Sequence, residues 1–259
     1  MSKPAGKCVF CGGPGLTKSH VWPEWAEAIL PESVTHHEQI IGEFHTFTPK
    51  VHGPAYYKKV KPGHVGQRKP RNTCKKCNGG WMRLIEEATM PFMAPLLLGQ
   101  QYTLDATEQT ALATLLCLVS MRVEMSSHEM QAIPKKDHEW LMAKPEPPAR
   151  WKIWIARYIG SQRMDQRFTA MQIASSPDVT PGVEHCNTQV TSLAIGRFYA
   201  HLFSSTVWDD FSGYEGVNLV RLWPISQSVT EISFLPPIFE TEVPWLHESV
   251  ARTTKPVPG

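Results

Sequence analysis

The chain has 259 residues, 42% of them hydrophobic, and a formal net charge of +2, enough length and apolar content for one large domain or two small ones around a packed core. The polar, basic first residues carry no apolar h-region, and no apolar run reaches the ~18 residues of a spanning helix, so the expectation is a cytoplasmic protein with neither export signal nor membrane span. In a reducing compartment the six cysteines point to metal ligation rather than a disulfide framework.

In chain order, Cys8-Val9-Phe10-Cys11 reads as a zinc knuckle, with Gly12, Gly13 and Gly15 free to take the positive φ of a tight turn. Leu16 to Val21 predicts a short strand that carries His20 back across the knuckle. Pro23 suits a first helical turn, and Trp22, Trp25, Ala26 and Ile29 give that helix an apolar face up to Pro31. From Glu32 to Asn72 the pattern is irregular, and a loop of that length inside a compact domain is usually functional; Gln39 to Phe47 reads as a hairpin within it. Cys74-Lys75-Lys76-Cys77 is a second knuckle, followed through Gly79-Gly80 by a helix from about Trp81 to Ala88 that Met90-Pro91 interrupts.

Asp105 to Glu108 has the pattern of a capping box, and Leu112, Leu115, Leu116, Val119 and Val123 recur behind it at helical spacing. Cys117, in that stripe, reads as a small buried hydrophobe. A further helix is predicted over Lys135 to Ala143, and the prolines at 145–148 mark a boundary. Beyond it the period becomes 2: Trp151–Ile159, Arg167–Ile173, Gln189–Phe203, Val217–Trp223 and Val229–Phe234 predict strands of an antiparallel meander. Trp154, Trp208, Trp223 and Trp245 are expected in its packing, His185 and Cys186 lack a second ligand pair, and the tail after Glu248 is expected to be loose. The fold class expected is α+β: a zinc-stabilised module over 1–92, a helical segment over 93–148, and an antiparallel β-rich domain over 149–259.

The two Cys-x2-Cys pairs, Cys8, Cys11, Cys74 and Cys77, complete one tetrahedral zinc site, and a filled structural site leaves no open position for catalysis. Charge is segregated around it. Between Phe44 and Ile85 there is no Asp or Glu, whereas Lys50, Lys58, Lys59, Lys61, Arg68, Lys69, Arg71, Lys75, Lys76 and Arg83 all fall there. An acid-free basic run interleaved with Phe47, Tyr56 and Tyr57 fits a nucleic acid, whose phosphates meet the cations and whose bases stack on the rings; a solvated basic loop is the plainer reading.

Cys-x-x-Cys-Gly, then Leu16-Thr17-x-x-His20-x-x-Pro23, then Cys-x-x-Cys-Asn resembles the zinc-knuckled HNH endonucleases, whose module is a treble clef of the ββα-metal type. The Trp22-Pro23-x-Trp25 and Gly80-Trp81-Met82-x-x-x-Glu86 stretches are similar to a group of uncharacterised bacterial and phage proteins carrying this module, and the likeness covers residues 8 to 90. It implies metal-dependent hydrolysis of phosphodiester bonds, in double-stranded DNA for preference, with Mg²⁺ or Mn²⁺ beside the structural zinc. His20 falls on the general-base position, and an imidazole changes charge near neutral pH. Asn78 falls where the family places a helix-borne cation ligand, and Asn72 is the candidate to orient the base. Lys58, Lys59, Lys61, Arg68, Lys69, Arg71, Lys75 and Lys76 would contact the nucleic acid, and the C-terminal part would select substrate or form a homodimer. Ser19 departs from the family, which has Asp, Glu or His there as a cation ligand. Either Glu86, Glu43, His37 or His64 replaces it, or this copy has lost cleavage and kept nucleic-acid or protein binding, as a phage or defence accessory factor would.

Overall fold

The computed structural model describes residues 6–30, 36–45, 55–62, 68–126, 131–161, 164–172, 186–208, 214, 218–231 and 237–253, with 36–45 and 55–62 as backbone. Its first elements are β1 (Leu16–Thr17), α1 (Glu24–Ile29), β2 (His36–His45), β3 (Ala55–Pro62), β4 (Thr73–Cys74) and α2 (Lys75–Cys77), which passes through a π turn at 78–82 into α3 (Arg83–Leu97). Next come β5 (Thr103–Asp105), α4 (Ala106–Glu124) and α5 (Lys135–Ala143). The remainder supplies β6 (Lys152–Ile159), β7 (Met164–Gln172), β8 (Thr188–Ile195), β9 (Phe198–Ser205), β10 (Val220–Trp223), β11 (Val229–Glu231), β12 (Pro237–Phe239) and α6 (Val243–Thr253). The class is α+β, and no helix among the described residues is long and apolar enough to cross a membrane.

One sheet organises these elements, in the order β10-β6-β9-β8-β7-β2-β3, with β12 pairing parallel to the far end of β6. Alternation of side chains gives it two apolar faces. Ile153, Ile155, Leu193, Ile195, Ala200 and Leu202 enter the larger core with Leu112, Leu115, Leu116 and Val119 of α4. Trp154, Tyr158, Val190, Ala194, Tyr199 and Phe203 enter a second core with Val243 and Leu246 of α6. Strands β8 and β9 are buried throughout, as strands covered on both faces must be. Several polar groups facing into these layers are joined to one another. Ser120 meets Thr191 at 2.7 Å on the α4 side; on the α6 side His247 meets Thr169 at 2.8 Å and Ser192 at 3.0 Å, and Ser192 meets His201 at 3.0 Å. Burial holds both imidazoles below their ordinary range, His201 at about 3, so the network is neutral.

The predicted capping box starts α4: the Asp105 carboxylate accepts the Glu108 N–H at 2.8 Å, and the Glu108 carboxylate accepts the Asp105 N–H at 3.1 Å. The helix is buried on most sides, Cys117 included, because the sheet lies against one side and α3 and α5 against others. Its last turn therefore encloses two ionisable groups. Arg122 donates to Glu86 of α3 at 2.6 Å, and Glu124 accepts the N–H groups of Ala132 and Ile133 at 2.6 and 2.9 Å.

Several expectations are corrected. Helix α3 continues through Pro91 and Pro95 to Leu97; burial of Ile85, Thr89, Phe92, Met93, Leu96 and Leu97 along one side outweighs the two missing N–H donors. The hairpin of the long insertion pairs β2 with β3, His36 against Pro62 through Glu43 against Ala55, instead of folding within Gln39–Phe47. That hairpin is also part of the main sheet, since Glu43, Phe44 and His45 pair parallel with Ala170, Met171 and Gln172 of β7. The meander is thus extended by the N-terminal insertion, and two of its pairings are parallel. Strand β11 leaves the sheet to pair with β5, Trp245 is half exposed, and the residues after Glu248 continue α6 to Thr253. His64, His52 and His185 lie outside the described residues.

The predicted strand Gln189–Phe203 is two strands, joined by a tight turn at Gly196 and Arg197. This turn fastens the sheet to the N-terminal half: the Arg197 N–H donates to the Leu97 carbonyl at 2.8 Å, satisfying an orphan acceptor at the end of α3. Gly196 has φ +58°, and a Cβ there would lie 2.3 Å from the Leu97 oxygen. Gly196→Ala is expected to cost about 2–4 kcal/mol in denaturant unfolding, from the left-handed backbone and the displaced contact together. A second expectation concerns pH. Burial pushes the Glu124 carboxyl up from 4.5 to about 8, against the opposing N–H groups of Ala132 and Ile133. The folded state therefore binds more protons, and this group's stabilisation, complete below the unfolded value, is lost as pH rises to about 8. Glu124→Gln, which keeps an acceptor oxygen, should flatten thermal stability against pH across that window and raise it at the alkaline end.

Candidate metal centre and histidine face

The two knuckles meet. The sulfurs of Cys8, Cys11, Cys74 and Cys77 all lie within 4.8 Å of one another, and those of Cys11 and Cys74 are 3.5 Å apart. A zinc with Zn–S bonds of about 2.3 Å needs sulfurs about 3.8 Å apart, so the four fit a tetrahedral centre. Local geometry follows from the glycines. Gly12 and Gly15, at φ +70° and +80°, close the first knuckle so that the Cys8 N–H donates to Gly13 O and the Gly12 N–H to Cys8 O, both at 2.8 Å. In the second, the Cys74 sulfur caps the following helix by accepting the Cys77 N–H at 3.5 Å. Burial acts to raise the Cys8 thiol, yet backbone N–H groups of Cys11, Cys74 and Phe10 around it bring it down to about 7; burial pushes the Cys77 thiol up. Among the described residues this is the one group of three or more His, Cys, Asp or Glu side chains placed to hold a metal ion.

From the centre runs a two-stranded ladder. Leu16 and Thr17 pair with Cys74 and Thr73, and the pairing continues as the Ser19 N–H donates to Pro70 O at 3.1 Å and the Val21 N–H to Arg68 O at 3.0 Å. Pro70 has no N–H to return, which makes this stretch irregular without ending it. His20 therefore stands opposite Lys69. Alternation then sorts the side chains: Ser19 and Val21 are buried on one side, while Lys18 is exposed and His20 half-buried on the other.

On the buried side, the Ser19 hydroxyl donates to the Asn78 amide oxygen at 2.9 Å, tying the ladder to the first turn after the second knuckle. The chain there forms a π turn with Gly80 at φ −104° and ψ −115°, outside the helical well. Asn72 is buried; its amide oxygen accepts the Thr73 hydroxyl at 3.0 Å, and its Nδ2 has no partner. Glu86 lies beyond the π turn on α3, and its carboxylate is paired with the buried Arg122. His20 is half-buried, and its Nε2 is enclosed without a partner.

Of the basic residues read from the sequence, Lys69, Arg71, Lys75 and Lys76 are exposed around the centre. Arg68 is turned inward, donating to the Ser126 hydroxyl, and burial lowers its pKa. Lys58, Lys59 and Lys61 lie on β3, and His37 and Glu43 on β2, where the backbone alone is described. Lys7 and Lys18, also exposed beside the centre, were missed because they fall outside the acid-free run; the i, i+2 relation of Lys18 to His20 was the available signal.

Compared with protein-family models, curated proteins and solved structures, the chain matches none.

Purified protein should carry about one zinc per chain after exhaustive dialysis. Cys74→Ser, which removes both a sulfur and the helix cap, is expected to lower the zinc content well below that and to lose cooperative unfolding, measured by elemental analysis and thermal melts.

Proposed function

We propose that the chain is an HNH-type phosphodiesterase acting on nucleic acid, DNA for preference, with His20 as general base on a zinc-closed treble-clef scaffold of the ββα-metal type. The observation that carries this reading is the connectivity: a strand bearing Ser19-His20, an antiparallel strand over 68–74, and a helix entered at Asn78, all closed by four cysteines, with Ser19 and Asn78 in contact at 2.9 Å. In this reading His20 takes the proton of an attacking water. The basic side chains around the centre bind the backbone phosphates.

The divalent cation implied by the family resemblance finds no ligand set among the described side chains. The Asn78 oxygen accepts the Ser19 hydroxyl, and the Glu86 carboxylate is paired with Arg122. The reaction is accordingly written through His20 alone. The same Ser19–Asn78 bond favours a second reading, a nucleic-acid-binding module of this type without cleavage.

A supercoiled plasmid incubated with Mg²⁺, with Mn²⁺ and with neither separates the two. Wild type is expected to nick it, and His20→Ala to be slower by roughly a hundred- to ten-thousandfold. Failure of the wild type to cleave DNA or RNA under all three conditions removes the hydrolase and leaves the binding module.

A further inference from the structure

The face of the ladder that carries His20 has a property of its own. Its pairing places Lys69 directly across from His20, between the Ser19–Pro70 and Val21–Arg68 bonds. In antiparallel strands such a pair, lacking hydrogen bonds of its own, brings its Cβ atoms closest, to about 4.5–5.5 Å. Lys18 lies two residues before His20 on the same side. The register changes by one between Thr17–Thr73 and Ser19–Pro70, so that residues 71 and 72 both stand opposite Lys18; of these Arg71 is exposed and Asn72 buried. Lys18, Lys69 and Arg71 therefore surround a half-buried imidazole on one exposed face.

Residues 6–22 and 68–85 contain no Asp or Glu, and no ion pair among the described residues involves Lys18, Lys69 or Arg71. Three unneutralised cations in so small an area repel one another, a cost that an anion laid across them removes. The opposite face of the ladder, by contrast, is closed by the Ser19–Asn78 bond.

We infer that Lys18 and Lys69, with Arg71, form a phosphate cradle around His20, so that a nucleic-acid backbone crosses the exposed face of the ladder with one phosphate over the imidazole. This rests on the nucleic-acid reading above, names the residues that position the backbone, and adds Lys18, which lies outside the basic run. It assigns the charge of the phosphate over His20 to side chains of the ladder. The cradle holds substrate whether or not a bond is broken.

The test is binding, measured by anisotropy of a short labelled DNA duplex and of its single strand over a series of salt concentrations. Lys18→Ser and Lys69→Ser should each weaken binding roughly fivefold and reduce the slope of log K against log salt by about 0.9 on duplex or 0.7 on single strand, one phosphate contact apiece. Lys144→Ser, which removes an exposed lysine resting on the Trp140 ring, should leave the slope unchanged. Zinc content and melting temperature of each variant establish that it is folded. An unchanged slope in the Lys18 and Lys69 variants overturns the cradle, as does a wild type that binds neither strand form. If cleavage is present, the lysine variants should raise KM while His20→Ala lowers kcat. If cleavage is absent but the slopes fall, the cradle stands and the hydrolase does not.

Discussion

The meeting of the four cysteines Cys8, Cys11, Cys74 and Cys77 is the constraint on which the N-terminal half depends. Cys11 and Cys74 are separated by 62 residues, and bringing their sulfurs to 3.5 Å closes a long loop at an entropic cost that a bound metal ion would help to offset. Closing it aligns the chain on either side. Leu16 is set against Cys74, the ladder follows to Val21 and Arg68, and the Cys74 sulfur starts the helix that runs on to Leu97. Alternation along the first strand fixes which of its residues turn inward, and a one-residue slip before Pro70 sets their partners over 68–71. Ser19 meets Asn78, and His20 is turned toward the cations.

The module is not left to stand alone. At the end of α3, the β8–β9 turn places Arg197 on the Leu97 carbonyl, and the larger core holds Phe10 and Trp22 with Leu116, Leu193 and Leu202 in one continuous cluster. At the other side of the insertion, β2 joins β7. The clamped loop and the helix that follows it are thereby both tied to the same sheet. Within α4 the buried Arg122 neutralises Glu86, and breaking that pair would leave a buried charge unpaired; this carboxylate is an internal counter-ion.

Much of this was legible because it rests on local chemistry. The knuckles announce themselves by Cys-x2-Cys and glycine, the capping box by Asp105 and Glu108, and α4 by its leucine spacing, all satisfied within a few residues of chain. The elements misread were those decided by distant partners. Pro91 reads as a stop in any window, yet the burial of Phe92 and Met93 carries the helix past it. Gly196 is one glycine inside a β-rich run, and the need for a turn there comes from the end of α3, about a hundred residues earlier in the chain. β2 and β3 belong to the sheet through a parallel pairing with a strand whose sequence gives no hint of that neighbour.

The sequence by itself determined the four cysteines that come together, the strand that bears His20, the main helix and the alternating strands, since each is set by side-chain type and spacing along a short stretch. Tertiary structure alone decided that Glu86 is taken by Arg122, that Ser19 is bonded to Asn78, and that Lys18 and Lys69 share the face of His20. Those outcomes depend on register and on which buried charges find partners, and both arise only when segments far apart in the chain are packed together.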